Sequence, residues 1–532
     1  MKKTAWVSFT AVLLALSMFT TSCSSSSSSS PTSATTAISG SIVAAPVSGA
    51  AVVVANAGGS VIAGTVNTAS DGTYSVNVPT SYCNADLRIE ATGGTYTDEA
   101  TGTTTTAGSL AAYVPAGSMT TWSSVNITAA STIIHDMVTA GTMTFGEAQT
   151  IFNTAFGFTP DITVASKNTS AAGASVAERL AALHDAAFSQ LTYDLGLTPD
   201  KQSDLLAAIA QDLADDGLLN GSTGTVNGTR LPVDIQNKFE NALVSMLSNT
   251  VSNMTGLTPD LIGALPFGKV ALTNTYRVQY LPGAMAATQG KTTFKIQITN
   301  ISDGSAATGL MVSLMPMMSM ASMSHSSPVD MVTEEGSTGV YDCAVYYLMG
   351  DGPGIGYWTL QVMIGGGMGM DETATFYPAV SMAMGPDTPY TKLYGPDDIV
   401  SSMSGTQTND YFLFMDGAVS AATPTIPLFI AHSENMFMNF EPVSIGAVLS
   451  NPTGTVTSMT VQASTNSTFA TSVTGADMGN GHWSLSGLTG LVSGQTATIY
   501  VKLNVNGQNK TTDGKAASGS NAYATFLVTP GM

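Results

Sequence analysis

The chain has 532 residues, which is too long for one compact core and corresponds to several domains of ordinary size. Only 10% of the residues are charged, and 36 acidic residues against 16 basic ones give a net charge of -20. Such a surface repels phosphate backbones and anionic headgroups and attracts cations or basic partners, which argues against nucleic-acid binding. The abundance of small and hydroxyl residues is typical of exported, β-rich proteins.

The first 23 residues have the three parts of an export signal. Lys2 and Lys3 supply positive charge, residues 5–19 form an apolar run, and small polar residues lead to Cys23. This order of a charged, an apolar and a small-residue part predicts export from the cytoplasm. The signal can be processed in two ways. Either Cys23 is lipidated, or the chain is cleaved nearby and secreted without a lipid.

The segment resembles a bacterial lipoprotein signal peptide. Ser22 fits the small position before the cysteine of that family's motif, whereas Thr20 stands where leucine is usual. The resemblance implies that residues 1–22 are removed. It also implies that Cys23 then carries a lipid that contains palmitate. Because Ser24 and not aspartate follows, it also implies delivery to the outer membrane. No later segment has the roughly 18 consecutive apolar residues of a membrane span, so this lipid is the predicted anchor.

A serine-rich tether and a first β module follow the signal. Residues 23–37 have a composition that cannot bury a core. Residues 38–127 contain short β segments between glycine-rich turns, and Asp71-Gly72 predicts the positive-φ turn of a hairpin. The pattern resembles the carboxypeptidase-regulatory-like, or collagen-adhesin B-type, β-sandwich. Such modules serve mainly as stalks and adhesive spacers, which is what the resemblance implies here.

Residues 128–266 predict a small helical bundle. Thr144 and Ser175 each stand three residues before a glutamate, the pattern in which side chains satisfy the free backbone donors of a helix start. Apolar residues recur behind them at helical spacing. Acidic residues also cluster around Asp212 and Asp216. They predict either a calcium site or a solvated helix end, and the spacing of an EF-hand calcium loop is absent.

From residue 270 to 390 the β pattern returns. Polar and apolar residues alternate in 293–300, 340–346 and 357–362, which predicts strands. Their lengths fit an immunoglobulin-like β-sandwich. The most unusual stretch of the sequence, residues 310–325, lies between the first two of these strands.

This methionine-rich stretch carries soft metal donors close together. A strand is expected to end near Leu314, and the following loop contains Met315, Met317, Met318, Met320, Met323 and His325. Thioether sulfur and imidazole are donors that suit Cu(I) better than hard cations. A soft-metal site is one hypothesis. The other is that methionine, a flexible core filler, only packs here.

The motifs around the stretch resemble those of YtkA/FixH-like domains. Their order is Met-Pro-Met at 315–317, a histidine-containing loop, Gly-x-Tyr at 339–341 and Gly-x-Trp-x-Leu-x-Val at 356–362. The resemblance implies an exported or membrane-tethered β-sandwich associated with copper handling and respiratory oxidase assembly. It also implies a metal site next to Trp358 with the ligands Met317, Met320, Met323 and His325.

Residues 400–532 predict a further β-sandwich. Strands are expected at 411–414, 426–430, 455–459 and 497–505. The last of these alternates so that one face is apolar, and Asn506-Gly507 supplies the turn after it.

Two cysteines remain once Cys23 is assigned to the lipid. Cys83 and Cys343 lie far apart in the sequence and in different predicted domains. One long-range disulfide and two separate buried thiols are both open.

Catalytic motifs are absent from the sequence. There is no His-Glu-x-x-His and no Gly-x-Ser-x-Gly, and the Walker-like run 263–269 has Val270 where a magnesium-binding Ser or Thr is required. We therefore expect a mainly β, multidomain lipoprotein that is not an enzyme. Its expected role is that of a binding or accessory protein that holds Cu(I) and meets an envelope protein partner. The alternative is a structural or adhesive surface protein without metal.

Overall fold

The structure is a computed structural model that confirms the predicted fold class. It describes residues 34–118, 124–141, 143–167, 173–249, 253–263, 265–365, 372–402, 405–434, 438–450 and 453–531. Strands account for 41% and helices for 18% of it, so the chain is mainly β with an α-helical insert, organised as several β-sandwich-like modules. Cys23 and most of the tether lie outside the described residues.

The first β module contains β1 (Thr35–Ser41), β2 (Ala51–Asn56), β3 (Val61–Asn67), β4 (Thr73–Pro79), β5 (Leu87–Thr92), β6 (Thr95–Thr97), β7 (Thr104–Thr106) and β8 (Ser109–Val114). One sheet has the order β3-β2-β5-β8, while β1 pairs with β4 and β6 with β7. The predicted turn forms, since Gly72 has φ 78° and Asp71 Oδ1 accepts a hydrogen bond from Thr73 N at 3.1 Å. The predicted hairpin is wrong, because β4 leaves the sheet of β3 to pair with β1.

The helical region consists of α1 (Ala129–Thr139), α2 (Phe145–Phe156), α3 (Val176–Asp194), α4 (Gln202–Asp216) and α5 (Ile235–Ser248). Both predicted capping boxes form. Glu147 Oε2 accepts from Thr144 N at 2.8 Å, and Glu178 Oε2 accepts from Ser175 N at 2.9 Å. In each pair the hydroxyl accepts in return from the backbone N–H of the glutamate, so the orphan donors of the first turn are satisfied.

One hydrophobic core runs through the first β module and the helical region together. At its centre, Phe156 of α2, Phe188 of α3 and Phe239 of α5 meet in a triangle. Their ring centroids are 5.4 Å apart for Phe156–Phe188, 4.7 Å for Phe156–Phe239 and 4.9 Å for Phe188–Phe239. The two sequence regions are therefore packed as a single unit.

The third module contains β9 (Val270–Leu272), β10 (Tyr276–Pro282), β11 (Gly290–Asn300), β12 (Met311–Ser319), β13 (Ser324–Ser326), β14 (Thr333–Glu334), β15 (Val340–Tyr347), β16 (Tyr357–Gly365) and β17 (Glu372–Phe376). Its two antiparallel sheets have the orders β14-β15-β11-β10-β9 and β13-β12-β16-β17. Alternate residues of both sheets supply one core. The strands predicted at 293–300, 340–346 and 357–362 are confirmed.

The last module contains β18 (Tyr390–Ser402), β19 (Gly405–Met415), β20 (Thr425–Glu434), β21 (Asn439–Pro442), β22 (Val448–Ser450), β23 (Thr453–Thr455), β24 (Met459–Ser464), β25 (Val473–Thr474), β26 (Ala476–Gly479), β27 (His482–Ser486), β28 (Ala497–Val505), β29 (Gln508–Asn509) and β30 (Ala524–Val528). One sheet has the order β18-β19-β20-β27-β26, with β21 on β20. The other has the order β25-β24-β28-β29, with β30 on β28.

Two details of this module bear on the sequence predictions. The strand predicted at 497–505 is β28, and Asn506 (φ 52°) and Gly507 (φ 80°) form the expected turn. The strand predicted at 455–459 is wrong, because most of that segment connects β23 to β24. Its backbone N–H groups at Thr457 and Ser458 donate to Asn506 Oδ1, at 2.8 and 3.2 Å, instead of to a neighbouring strand.

The third module is held from both sides. On one side, Asn237 of α5 donates to the Thr375 carbonyl oxygen at 2.8 Å, and Glu240 Oε1 accepts from Gly268 N at 2.5 Å. A Cβ at Gly268 would lie 2.7 Å from the backbone nitrogen of Asn237. Glycine at this position of the Walker-like run 263–269 therefore lets the chain pass close to α5.

On the other side, aromatic residues join the third module to the last one. Tyr346 of β15 stacks on Phe429 of β20 with a centroid distance of 4.1 Å and an interplanar angle of 4°. Phe412 and Phe414 of β19 complete this cluster with Leu348. The position of the third module is thus fixed by apolar contacts as well as by hydrogen bonds.

Removing the central ring of the helical region should destabilise the first unit. Phe239→Ala leaves a cavity between α2, α3 and α5, and we expect the free energy of unfolding to fall by about 3–5 kcal/mol. Urea denaturation followed by far-UV circular dichroism measures it. The control Ser245→Ala, on the exposed side of the same helix, should change it by less than about 0.5 kcal/mol. Equal stability of the two variants would contradict the packing of Phe239 against Phe156 and Phe188.

Candidate functional site

The methionine-rich stretch forms a β-hairpin. Strand β12 continues through Pro316, and β13 returns with His325 opposite Met318. Pro316 is tolerated because β13 pairs with β12 only from Met317 onward, so no strand on that side needs the missing N–H. The predicted strand end near Leu314 was therefore placed too early.

The hairpin directs the four predicted ligands to different places. Residues directly opposite one another in an antiparallel pair point to the same face of the sheet. Met318 and His325 therefore share the buried face, whereas Met317 points to the other face and is half-buried. Met320 packs against the core of the module, and Met323 is 51% exposed. A single ion bound by Met317, Met320, Met323 and His325 together does not fit this arrangement.

His325 instead meets a methionine from another part of the module. Its Nε2 lies 3.3 Å from Met349 Sδ, and its Nδ1 lies 2.8 Å from the carbonyl oxygen of Ser326. Because a carbonyl oxygen only accepts hydrogen bonds, Nδ1 carries the ring proton and Nε2 keeps a lone pair facing the sulfur. Burial lowers the pKa of His325 below its ordinary 6.5, so the ring is neutral at neutral pH and able to bind a metal.

Trp358 forms one wall of this pair of donors. Its ring stands edge-on to the imidazole of His325, with a centroid distance of 5.4 Å and an interplanar angle of 84°. Its Nε1 donates to the carbonyl oxygen of Met349 at 3.0 Å. Trp358 thus covers the histidine and fixes the backbone of the methionine.

The spacing of the two donors suits one soft ion. With bonds of about 2.0 Å to nitrogen and 2.3 Å to sulfur, as in zinc sites, two donors of a tetrahedral ion are roughly 3.3–3.5 Å apart. Further sulfur lies close by, since Met382 Sδ accepts a hydrogen bond from the backbone of Gly350 at 3.1 Å. Thioethers with a neutral imidazole are a donor set for Cu(I), so the residues present fit that ion.

The sequence interpretation missed Met349 and Met382. Both follow the methionine-rich stretch by more than one strand, so closeness in sequence did not single them out. The signal that was available is the general enrichment of methionine between residues 311 and 384, where 13 of the 28 methionines lie.

The two cysteines are free thiols in different modules. Cys83 is half-buried at the end of a short 3-10 helix of the first module. Cys343 is buried in β15, and this burial raises the pKa of its thiol to about 12. A thiol of that kind stays protonated and unreactive at neutral pH.

The acidic group at the end of α4 binds its own loop. Asp212 Oδ2 accepts from the backbone of Asn220 at 3.0 Å and of Gly221 at 3.1 Å, and Asp216 Oδ1 accepts from the backbone of Leu218 at 2.8 Å. These carboxylates therefore order the chain after the helix. Across the described ranges, no group of three or more His, Cys, Asp or Glu side chains is arranged to hold a metal ion.

A polar network joins the third module to the last one. His482 lies between two carboxylates, with Nδ1 2.8 Å from Asp416 Oδ2 and Nε2 3.0 Å from Asp330 Oδ1. Asp416 Oδ1 also accepts from Lys291 at 2.7 Å and from the hydroxyl of Tyr346 at 2.5 Å. Burial alone would raise the pKa of Asp416, but the hydrogen bonds from His482, Lys291 and Tyr346 lower it to about 2.

Comparison with protein-family models and with curated protein sequences gives no match for this chain. The resemblances to lipoprotein signals, to carboxypeptidase-regulatory-like modules and to YtkA/FixH-like domains therefore rest on the sequence motifs alone. Among the described residues, no helix combines the length and hydropathy needed to span a bilayer.

The junction between the last two modules should weaken as the pH rises. Hydrogen bonds to Asp330 and Asp416 raise the pKa of His482 from its ordinary 6.5 to about 9. The stability that this protonated ring contributes is complete below pH 6.5 and is lost as the pH rises through about 9. Thermal unfolding measured across this range should show the loss. In His482→Gln that part of the pH dependence should disappear, and an unchanged profile would contradict the assignment.

Proposed function

We propose that the protein is an exported, lipid-anchored binding or accessory protein of the cell envelope that holds Cu(I) through His325 and Met349. The observation that carries this proposal is the 3.3 Å contact between the unprotonated Nε2 and the thioether sulfur. The expectation of a Met/His copper site is kept. Its ligands are now His325 with Met349, in place of the set Met317, Met320, Met323 and His325.

The surroundings of the pair support a soft monovalent ion. His325 is buried and neutral, and Trp358 covers one side of its ring, so water and hard oxygen ligands have little access. Met320 and Met382 lie in the same part of the module and are the residues that would add thioether donors. The net charge of -20 favours the approach of a cation.

Bound copper would be held and passed on. Thioether and imidazole ligands suit Cu(I), and the described residues next to the pair include no further group that would act on a substrate. The proposal therefore includes an envelope protein partner that delivers or receives the ion, and an outer-membrane location through the lipid on Cys23. The proposal includes no nucleic-acid partner, because the acidic surface repels phosphate groups.

A structural or adhesive role without metal is the second candidate. It is favoured by Met318, which is fully buried, and by Met320 and Met349, which pack against the core of the third module. In that case the methionines serve as fillers of an irregular core. The β modules would then act as a spacer between the membrane and the surface to which the last module adheres.

Titration of the mature chain with Cu(I) against a competing chelator, without oxygen and under reducing conditions, tests the proposal. We expect one equivalent to bind, and Met349→Leu or His325→Gln to weaken binding by at least about 10–100-fold, since even outer-shell changes at metal sites cost that much. Met349→Leu nearly conserves side-chain volume, so the fold should be kept.

Two matched controls separate this site from the one predicted by sequence. Met317→Leu, on the opposite face of β12, and Met323→Leu, at the exposed turn, should both leave Cu(I) affinity unchanged. Loss of binding in these controls and not in Met349→Leu would favour the original ligand set. No binding by the parent chain would overturn the copper proposal and favour the structural role.

A further inference from the structure

One lysine of the last module is buried against a carboxylate. Lys510, directly after β29, is 1% exposed, and its Nζ lies 2.6 Å from Asp398 Oδ2 of β18. In every other ion pair between a lysine and a carboxylate among the described residues, the lysine side chain is at least 25% exposed. Burying two charges is costly even when they are paired. A reaction that removes both charges would therefore stabilise this site.

The backbone of β18 is shaped to bring Asp398 to this position. The pairing of β18 with β19 is interrupted by a bulge between Gly395 and Ile399, and Asp398 lies in this bulge. Its carboxylate lies over Gly395, where a Cβ would be 2.1 Å from Oδ2, so only glycine leaves room for it. The bulge thus turns the side chain of Asp398 towards Lys510.

Lys510 approaches the carboxylate from the second sheet of the module. Its backbone N–H donates to the carbonyl oxygen of Leu503 in β28 at 2.9 Å. The next residue, Thr511, exchanges two backbone hydrogen bonds with Tyr394 of β18, at 2.6 and 2.9 Å. The backbone on both sides of the contact is therefore fixed, and Nζ is held against the carboxylate by more than the attraction between the charges.

Tyr411 of β19 contacts both members of the pair. Its hydroxyl donates to Asp398 Oδ2 at 2.7 Å, and Lys510 Nζ lies 4.8 Å from the centre of its ring. Nζ also lies 3.4 Å from Gln508 Oε1. His432 stands opposite Tyr411 on β20 and is fully buried, which lowers its pKa to about 4. His432 is therefore neutral at neutral pH and does not compete with Lys510 as a cation.

We propose that Lys510 and Asp398 are joined by an isopeptide bond, which forms within the folded chain and links the two sheets of the last module. A proton first passes from Nζ to Oδ2 across their 2.6 Å contact, because two neutral groups are less costly to bury than two charges. The lone pair of Nζ then attacks Cγ of Asp398, and the bond from Cγ to Oδ2 breaks with its electrons on the oxygen. Two hydrogens of the ammonium group leave with Oδ2 as water, and the third stays on the amide nitrogen. Atoms and charge therefore balance without a co-reactant.

The geometry favours this condensation. Because Oδ2 is bonded to Cγ at about 1.2 Å, Nζ lies within about 3.8 Å of Cγ, close to the separation of about 3–3.5 Å in a near-attack arrangement. Groups held in this way react as though present at about 10⁵–10⁸ M, which favours condensation over the separated groups. The hydroxyl of Tyr411 polarises the carboxyl group and stabilises negative charge on its oxygen in the tetrahedral intermediate. The burial of Lys510 keeps out the water that would hydrolyse the product.

Two other pairs of lysine and aspartate serve as internal controls. Lys291 lies 2.7 Å from Asp416 Oδ1 but is 25% exposed. Although burial opposes it, hydrogen bonding lowers the pKa of Asp416 to about 2, so this carboxylate stays charged and is not attacked. Lys392 lies 3.2 Å from Asp410 Oδ2 and is 31% exposed. Neither of these pairs should be linked.

Mass spectrometry of the denatured full chain tests the proposal. We expect the parent chain to be lighter by one water molecule than its composition requires. Lys510→Arg should have its full mass, because a guanidinium group does not form this amide. Lys392→Arg is the matched control in the same module and should keep the loss of water. Since the two variants have the same composition, they should differ in mass by one water molecule and by nothing else.

Digestion with trypsin locates the bond. Trypsin does not cleave after a lysine whose Nζ belongs to an amide, so peptide 503–515 should stay whole and be attached to peptide 393–502. Cleavage after Lys291 and Lys392 should be normal. A parent chain of full mass, equal masses of Lys510→Arg and Lys392→Arg, or complete cleavage after Lys510 in the parent would each overturn the proposal and leave an ordinary ion pair. Cu(I) binding, which belongs to another module, should be the same in Lys510→Arg as in the parent.

Discussion

The carboxylate of Asp416 holds the last two modules in one arrangement. Lys291 comes from β11, Tyr346 from β15 and His482 from β27, and all three donate to it. A partly buried carboxylate is tolerated only when it is paired and hydrogen-bonded, so these donors cannot separate without leaving a charge in a poor environment. The stacked rings of Tyr346 and Phe429 lie directly beside them and add apolar contact. The junction therefore has both a charged and a hydrophobic part.

The proposed metal site depends on the same strand. Tyr346, which contacts the last module, stands only three positions before Met349, and Trp358 of the neighbouring sheet donates to the carbonyl oxygen of Met349. His325 reaches that sulfur because β13 pairs with β12 in a register that turns its ring inward. A shift of one residue would turn it to the outside. The pairing of His325 with Met349 is thus a property of the packed module and not of the methionine-rich stretch by itself.

The sequence predicted local features well and distant partners poorly. The capping boxes at Thr144 and Ser175 and the alternation of β28 are determined within a few residues, and all of them form as expected. The turn at Asp71-Gly72 also forms, but the strand that β4 pairs with is chosen by long-range packing. The face on which Met317 lies depends in the same way on two neighbouring strands. Met349 is 24 residues from His325, and Asp330 is 152 residues from His482, so no spacing rule reveals either pair.

The pairing of β1 also determines how the fold carries a mechanical load. Any tension along the N-terminal segment enters the described structure at Ala34, whose carbonyl oxygen accepts from Thr80 N at 2.9 Å, and passes into β1, which pairs antiparallel with β4 from Thr35–Pro79 to Ser41–Thr73. The hydrogen bonds of such a pair stand perpendicular to the strands. A pull along the axis of β1 therefore loads these hydrogen bonds together in shear, whereas a pull at right angles to β1 would break them one after another. Because Ile38 is at the same time fully buried in the core shared with the helices, a force applied there is distributed over the whole first unit.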